Sequence, residues 1–220
     1  MQAATAQETV VTLPYFVQPP ARIVYAEKYP GADIGMKINA ADADLGADSG
    51  EIRVAAGGQI ATQINISAHH TLRFTGGSYT ATTNSSVIRL KDNSSLECNS
   101  WDIVLRESTG KVGGSSPFSI VRDYNGDVSN HTQSENINIR GCHFKGARSD
   151  FNSTPQTVGL GNCRNCQVTN NWLDATRTIG IQAGGGSGLG FYASNVLIAH
   201  NLFTEVASQN IAVTNGDGVV

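Results

Sequence analysis

The residues of this chain that could carry out chemistry stand between short alternating segments. Arg177 immediately precedes TIGIQ (178–182), with Asp174 three residues before it and Glu205 about one repeat later. Asp174 and Glu205 are hard oxygen donors of the kind calcium takes, so a calcium site beside a basic group is one reading. A second set lies in two loops. Asp123, Tyr124, Asp127 and His131 fall in VRDYNGDVSNHTQ (121–133), and Phe191 with Tyr192 in AGGGSGLGFYAS (183–194). Each has a plainer alternative: YNGD is an ordinary turn sequence, and a lone Arg can be structural or bind substrate. The five His show neither triad order nor metal-ligand spacing.

What must position these residues is a repeat. ENINIRGCHF (135–144), RNCQVTNNWL (164–173) and SNVLIAHNLF (194–203) superpose at offsets of 29 and 30 residues. Asn136, Asn165 and Asn195 coincide, as do Ile139, Val168 and Ile198, and Phe144, Leu173 and Phe203. Weaker copies are HTLRFTGGSY (70–79), SSLECNSWDI (94–103) and GEIRVAAGG, and they make residues 52, 72, 96, 137, 166 and 196 equivalent inward positions. Later strands in each unit read TVGLG, TIGIQ and NIAVT. Units of 20–40 residues with two or three short strands predict a parallel β solenoid of about six coils. Coils stack about 4.8 Å apart, so equivalent Ile, Val, Leu and Phe fill the interior. Asn136–Asn165–Asn195 and Asn171–Asn201 fit amide ladders at the bends.

Composition agrees. Charged residues make up 15% of the 220 and the net charge is −3, which gives no electrostatic footprint for nucleic acid. The 24 Gly and 18 Asn favour turns over helix. No apolar run approaches the ~20 residues of a membrane span. MQAATAQET lacks the basic and apolar regions of a leader, so an exported protein would already have lost one. Cys98 and Cys166 fall on inward positions, and all four Cys are read as small buried apolar side chains, with a Cys163–Cys166 bridge left open.

A solenoid needs covered ends. Residues 33–45 place Ile34, Ile38, Ala41 and Leu45 at helical spacing, with Asp33 as N-cap and Gly46 as stop, so they predict a short capping helix. Residues 1–32, with Pro14, Pro19, Pro20 and Pro30, read as an extended lead-in, and 51–220 as the β-helix. NIAVTNGDGVV stops mid-pattern, which predicts an open last coil, either continued by further coils past Val220, the favoured reading, or covered by self-association or another partner.

The capping segment ADIGMKINAADADLG, then GEIRVAAGG, then NVLIAHNLF-type coils, resembles the right-handed parallel β-helix proteins of the pectate-lyase superfamily over residues 30–220. That superfamily includes pectate lyases, polygalacturonases, epimerases, phage tailspikes and bacterial surface proteins, so the resemblance implies a secreted or cell-surface bacterial protein whose partner is a polysaccharide. A polygalacturonase would place paired acids before the later strands. Here those positions are Gln156-Thr157, Arg177-Thr178 and Gln209-Asn210, and a glycosidase cannot work without two carboxyls. Lyase chemistry instead takes a basic residue and a cation, for which Arg177, Asp174 and Glu205 are the candidates. The long loops flank a cleft floored by Gly159, Gly180 and Ala212, with Asp123, Tyr124, Asp127, Phe191 and Tyr192 as sugar-binding walls. The alternative is a non-catalytic stalk, adhesin or tailspike-like module.

Overall fold

The computed structural model describes residues 22–83, 85–108, 119–125, 132–147, 156–184, 193–214 and 216–220. These form a right-handed parallel β-helix of three sheets, successive coils giving a strand to each sheet in turn, with the short strands Ser134–Glu135, Cys163–Arg164 and Gly216–Val219 added to the first in the later coils. The first sheet runs through Arg22–Tyr25, Gly50–Val54, His70–Phe74, Ser95–Cys98, Asn138–Arg140, Gln167–Thr169 and Ala193–Ala199. The second stacks Gly58–Ile60, Ser78–Ala81, Val104–Glu107, His143–Lys145, Trp172–Asp174 and Leu202–Thr204. The third stacks Ile64–Ile66, Ile88–Leu90, Val121–Asp123, Gln156–Leu160, Ile179–Gly184 and Gln209–Thr214.

Alternation within these strands sends one side chain in and the next out, and the parallel register lines up inward residues coil upon coil. One interior row is Val24–Ile52–Leu72–Leu96–Ile139–Val168–Ile198. Another is Ile64–Ile88–Val121–Val158–Ile181–Ile211. Burying one such side chain contributes about 2 kcal/mol, so each coil is held chiefly by its neighbours. The equivalence 137, 166 and 196 is therefore two residues out against the earlier coils: Leu96 pairs with Ile139, not Ile137. A slip of two preserves the inward face, and Ile137, Cys166 and Val196 are buried as expected.

The capping helix spans Ile34–Leu45. Asp33 caps it, accepting from the Gly35 and Met36 amides at 2.7 and 3.3 Å. Ile34, Ile38, Ala41 and Leu45 are buried against the first coil. The polar side of the helix answers the exposed strand edge. Asp33 accepts from the Thr62 amide, Asn39 from the Asn65 amide, and Asp42 from the Ser67 amide. The cap thus covers apolar side chains and satisfies edge donors together. The lead-in is corrected at its end: Arg22–Tyr25 is a strand paired with Gly50–Arg53, and it begins the coil that the helix completes.

The cysteines bring a second correction, at Cys98 and Cys142, and close the question left open at Cys163 and Cys166. Both pairs are disulfides, Cys98–Cys142 and Cys163–Cys166, and no described cysteine is free. Cys142 fills the corner position that Asn171 and Asn201 take in later coils, and its amide bonds Oδ1 of Asn171 at 3.0 Å. Asn171 in turn donates to Oδ1 of Asn201 at 3.1 Å. The other ladder includes Asn93: Asn136 donates to Asn93, and Asn195 to Asn165, at 2.8 and 2.7 Å. All four adopt positive φ, from 51° to 57°, which Asn tolerates better than other side-chain-bearing residues. On the last coil Ile211 and Val213 are 43% and 51% exposed, while Val196 is covered where it pairs with Val219.

Candidate functional site

The longest inter-strand segments in the sequence connect to strands of the third sheet. The central row of that sheet's outer face is Asn65–Arg89–Arg122–Gly159–Gln182–Ala212, one residue per coil. Gly159 belongs to it as expected. The Arg122 stem lies beside that glycine, its Cγ 3.5 Å from where a Cβ would stand. Gly180 does not belong: a Cβ there would meet the Phe203 ring at 2.9 Å. Gly159 and Ala212 thus stay on the floor, Gln182 occupies the place given to Gly180, and Arg89 and Arg122 make the earlier coils of the row cationic, Arg122 with its Nε and Nη1 covered. Tyr124 stands at its margin, with Lys91 Nζ 5.1 Å and Arg89 Cζ 6.0 Å from its ring centroid. Such cation–π contacts contribute about 0.5–1 kcal/mol at exposed sites and hold a ring in place.

Asp123 does not line this cleft. It points inward at the position Leu90 fills one coil earlier and is fully buried. Its carboxylate accepts from the Gly161 amide at 2.6 Å and from Ser134 Oγ at 3.2 Å, so it ties one corner to the next coil. Asp127, His131, Phe191 and Tyr192 lie outside the described residues.

Arg177 is also inside. It and Glu107 are each 3% exposed, with Nε 3.1 Å from Oε2. A base must reach its substrate, and a guanidinium enclosed with a carboxylate reaches none, so Arg177 is given a structural role. Asp174 lies on the outer face of the second sheet. Lys145 Nζ donates to its Oδ2 at 2.9 Å and Thr204 Oγ1 to its Oδ1 at 2.8 Å. Burial alone would raise the Asp174 carboxyl, but these partners more than offset it and hold it below the usual carboxylate range. An ammonium thus stands where calcium was expected. Glu205 is exposed in the turn after the strand, with φ 51°. Among the described residues no group of three or more His, Cys, Asp or Glu could hold a metal ion.

Sequence reasoning passed over the two tryptophans. His143 and Trp172 occupy one outward row, in register on adjacent coils, and their rings stack 3.8 Å apart and 11° from parallel. Trp101 reaches across from an earlier coil: its Nε1 donates to the Asn170 carbonyl at 2.9 Å. Its ring centroid is 6.1 Å from that of Trp172. The available signal was the residue before the inward Phe144, Leu173 and Phe203, which must face out.

A scan of protein-family models, a search of curated proteins and a search of solved structures each found no match to this chain.

Proposed function

We propose that this is a secreted or cell-surface protein of the pectate-lyase-like β-helix group that recognises a polysaccharide along the outer face of its third sheet. The observation that carries the reading is the register of Arg89 and Arg122 on adjacent coils, with Tyr124 held beside Arg89 and Lys91. A regular polymer suits a surface that repeats every coil, the cations suit acidic substituents, and a fixed tyrosine offers a ring face with a polar tip. Two disulfides suit an oxidising compartment, which favours export.

The central row carries no carboxylate, so recognition rather than glycoside hydrolysis is the favoured activity. A second reading, a lyase, is favoured by the same three cations, which would neutralise a uronate before proton abstraction. Co-sedimentation with insoluble polysaccharides tests the first reading. Ultraviolet absorbance of unsaturated product from polyuronates, with and without calcium, tests the second. Capture of no polysaccharide would sink the first, and absence of product would sink the second.

A further inference from the structure

A second site lies on another part of the molecule, at the corner between the first and second sheets. A cavity of about 300 Å³ opens there, the lower end of what small-molecule sites enclose. Arg140, Glu97, Asn99 and Asn170 line it. Trp101 is tethered to its wall through the bond from Nε1 to the Asn170 carbonyl. The Trp101 carbonyl also accepts from His143 Nδ1 at 3.1 Å, so the indole is fixed by two coils while remaining 39% exposed.

An exposed ring held in this way is preorganised, and binding to it need not meet the usual cost of ordering a side chain. The charges beside it are paired along a chain. Arg73 bonds both Glu51 and Glu97, and Glu97 places its other oxygen 2.8 Å from Arg140 Nη2. What the cavity presents is therefore hydrogen-bonding capacity more than net field. Arg140, whose side chain is 53% exposed, has further N–H donors in its planar fork, and Asn99 and Asn170 each bring an amide with donor and acceptor sides. Planar groups of this kind match neighbouring hydroxyls, and an indole face matches the C–H face of a ring.

From these observations we infer that the corner binds one ring of a neutral saccharide, stacked on Trp101 and hydrogen-bonded to Arg140 and the two asparagines. This site is separate from the cationic face of the third sheet.

The chain contains two tryptophans, Trp101 and Trp172, and both stand at this corner, so tryptophan emission, excited where tyrosine does not absorb, reports on it. The full chain is titrated with trisaccharides of glucose, galactose and N-acetylglucosamine, and with trigalacturonate as the acidic probe. At least one neutral probe should shift the emission saturably, with Kd of about 1 mM or tighter. By saturation-transfer NMR, Trp101→Ala and Arg140→Ala should each weaken that binding about tenfold or more, while Tyr124→Ala leaves it unchanged. Arg140→Ala alters an exposed side chain, and its circular dichroism should match the parent. No saturable response to any neutral probe overturns the inference, as do unchanged affinity in both variants or a tryptophan emission shift that trigalacturonate saturates more tightly than every neutral probe. Loss of polymer capture in Arg89 and Arg122 variants with this binding intact would separate the two sites.

Discussion

Nε2 of His143 lies 3.7 Å from Oδ2 of Asp174, while Nδ1 of the same ring lies 3.1 Å from the Trp101 carbonyl. A carbonyl only accepts, so Nδ1 carries the proton and the neutral ring keeps its lone pair on Nε2. Burial lowers the His143 pKa despite the Trp101 carbonyl and Asp174, which favour the charged form.

The sign of the pH effect follows. Between its depressed folded value and the ordinary value of about 6.5, His143 binds more protons in the unfolded chain than in the folded one. Stability is therefore full above that window and falls as pH is lowered through it. Asp174, held low, adds a loss of the same sign at more acidic pH. The thermal midpoint should drop between pH 7.5 and pH 5, and His143→Gln should flatten that drop. An equal slope in the variant would show that another group is responsible.

Arg177→Met should destabilise the chain by about 3 kcal/mol or more, since it takes the neutralising guanidinium from the buried Glu107 carboxylate. Adding Glu107→Gln should restore part of the loss. Urea denaturation reads both, and a single variant as stable as the parent would contradict the structural role.

Cys98 and Cys142 are 44 residues apart, and Cys163 and Cys166 are 3 apart. Chain entropy then assigns about 4 kcal/mol to the first bridge and about 2 kcal/mol to the second. Replacing the first pair with Ala should lower the denaturation midpoint more than replacing the second. The reverse order would contradict this account.

Asn171 is fully buried, accepts from the Cys142 amide, and donates to the Ile139 carbonyl and to Asn201. Asn171→Ala strands a buried amide and should cost about 2 kcal/mol. Asn201→Ala, at the half-buried next rung, should cost less, as measured by the same denaturation series.

How much of this was legible in the sequence follows from where the repeat stays regular. The corner between the first two sheets is two residues long in the last three coils: Gly141-Cys142, Asn170-Asn171 and His200-Asn201. Those coils superpose by eye, and the fold and both ladders follow from them, while the cap follows from the helical spacing of Ile34, Ile38, Ala41 and Leu45. In earlier coils the same corner takes three to five residues, as in Asn99–Ile103, and the register slipped by two there. The sites were harder to see because they depend on which outward residues become neighbours across coils. Trp101 and the carbonyl it reaches are 69 residues apart. Asp123 and Arg177 looked like site residues because their charge suggests exposure, yet each has a buried partner that only the register supplies.

The central claim is that the third-sheet outer face holds a polysaccharide. The most direct test is the mobility of the parent chain and of an Arg89→Ala/Arg122→Ala variant in native gels cast with a polyuronate or a neutral glucan. The account predicts that the polyuronate retards the parent and that the variant loses about tenfold or more in affinity, with unchanged circular dichroism. Equal retardation of parent and variant, or no retardation of the parent by either polymer, would contradict it.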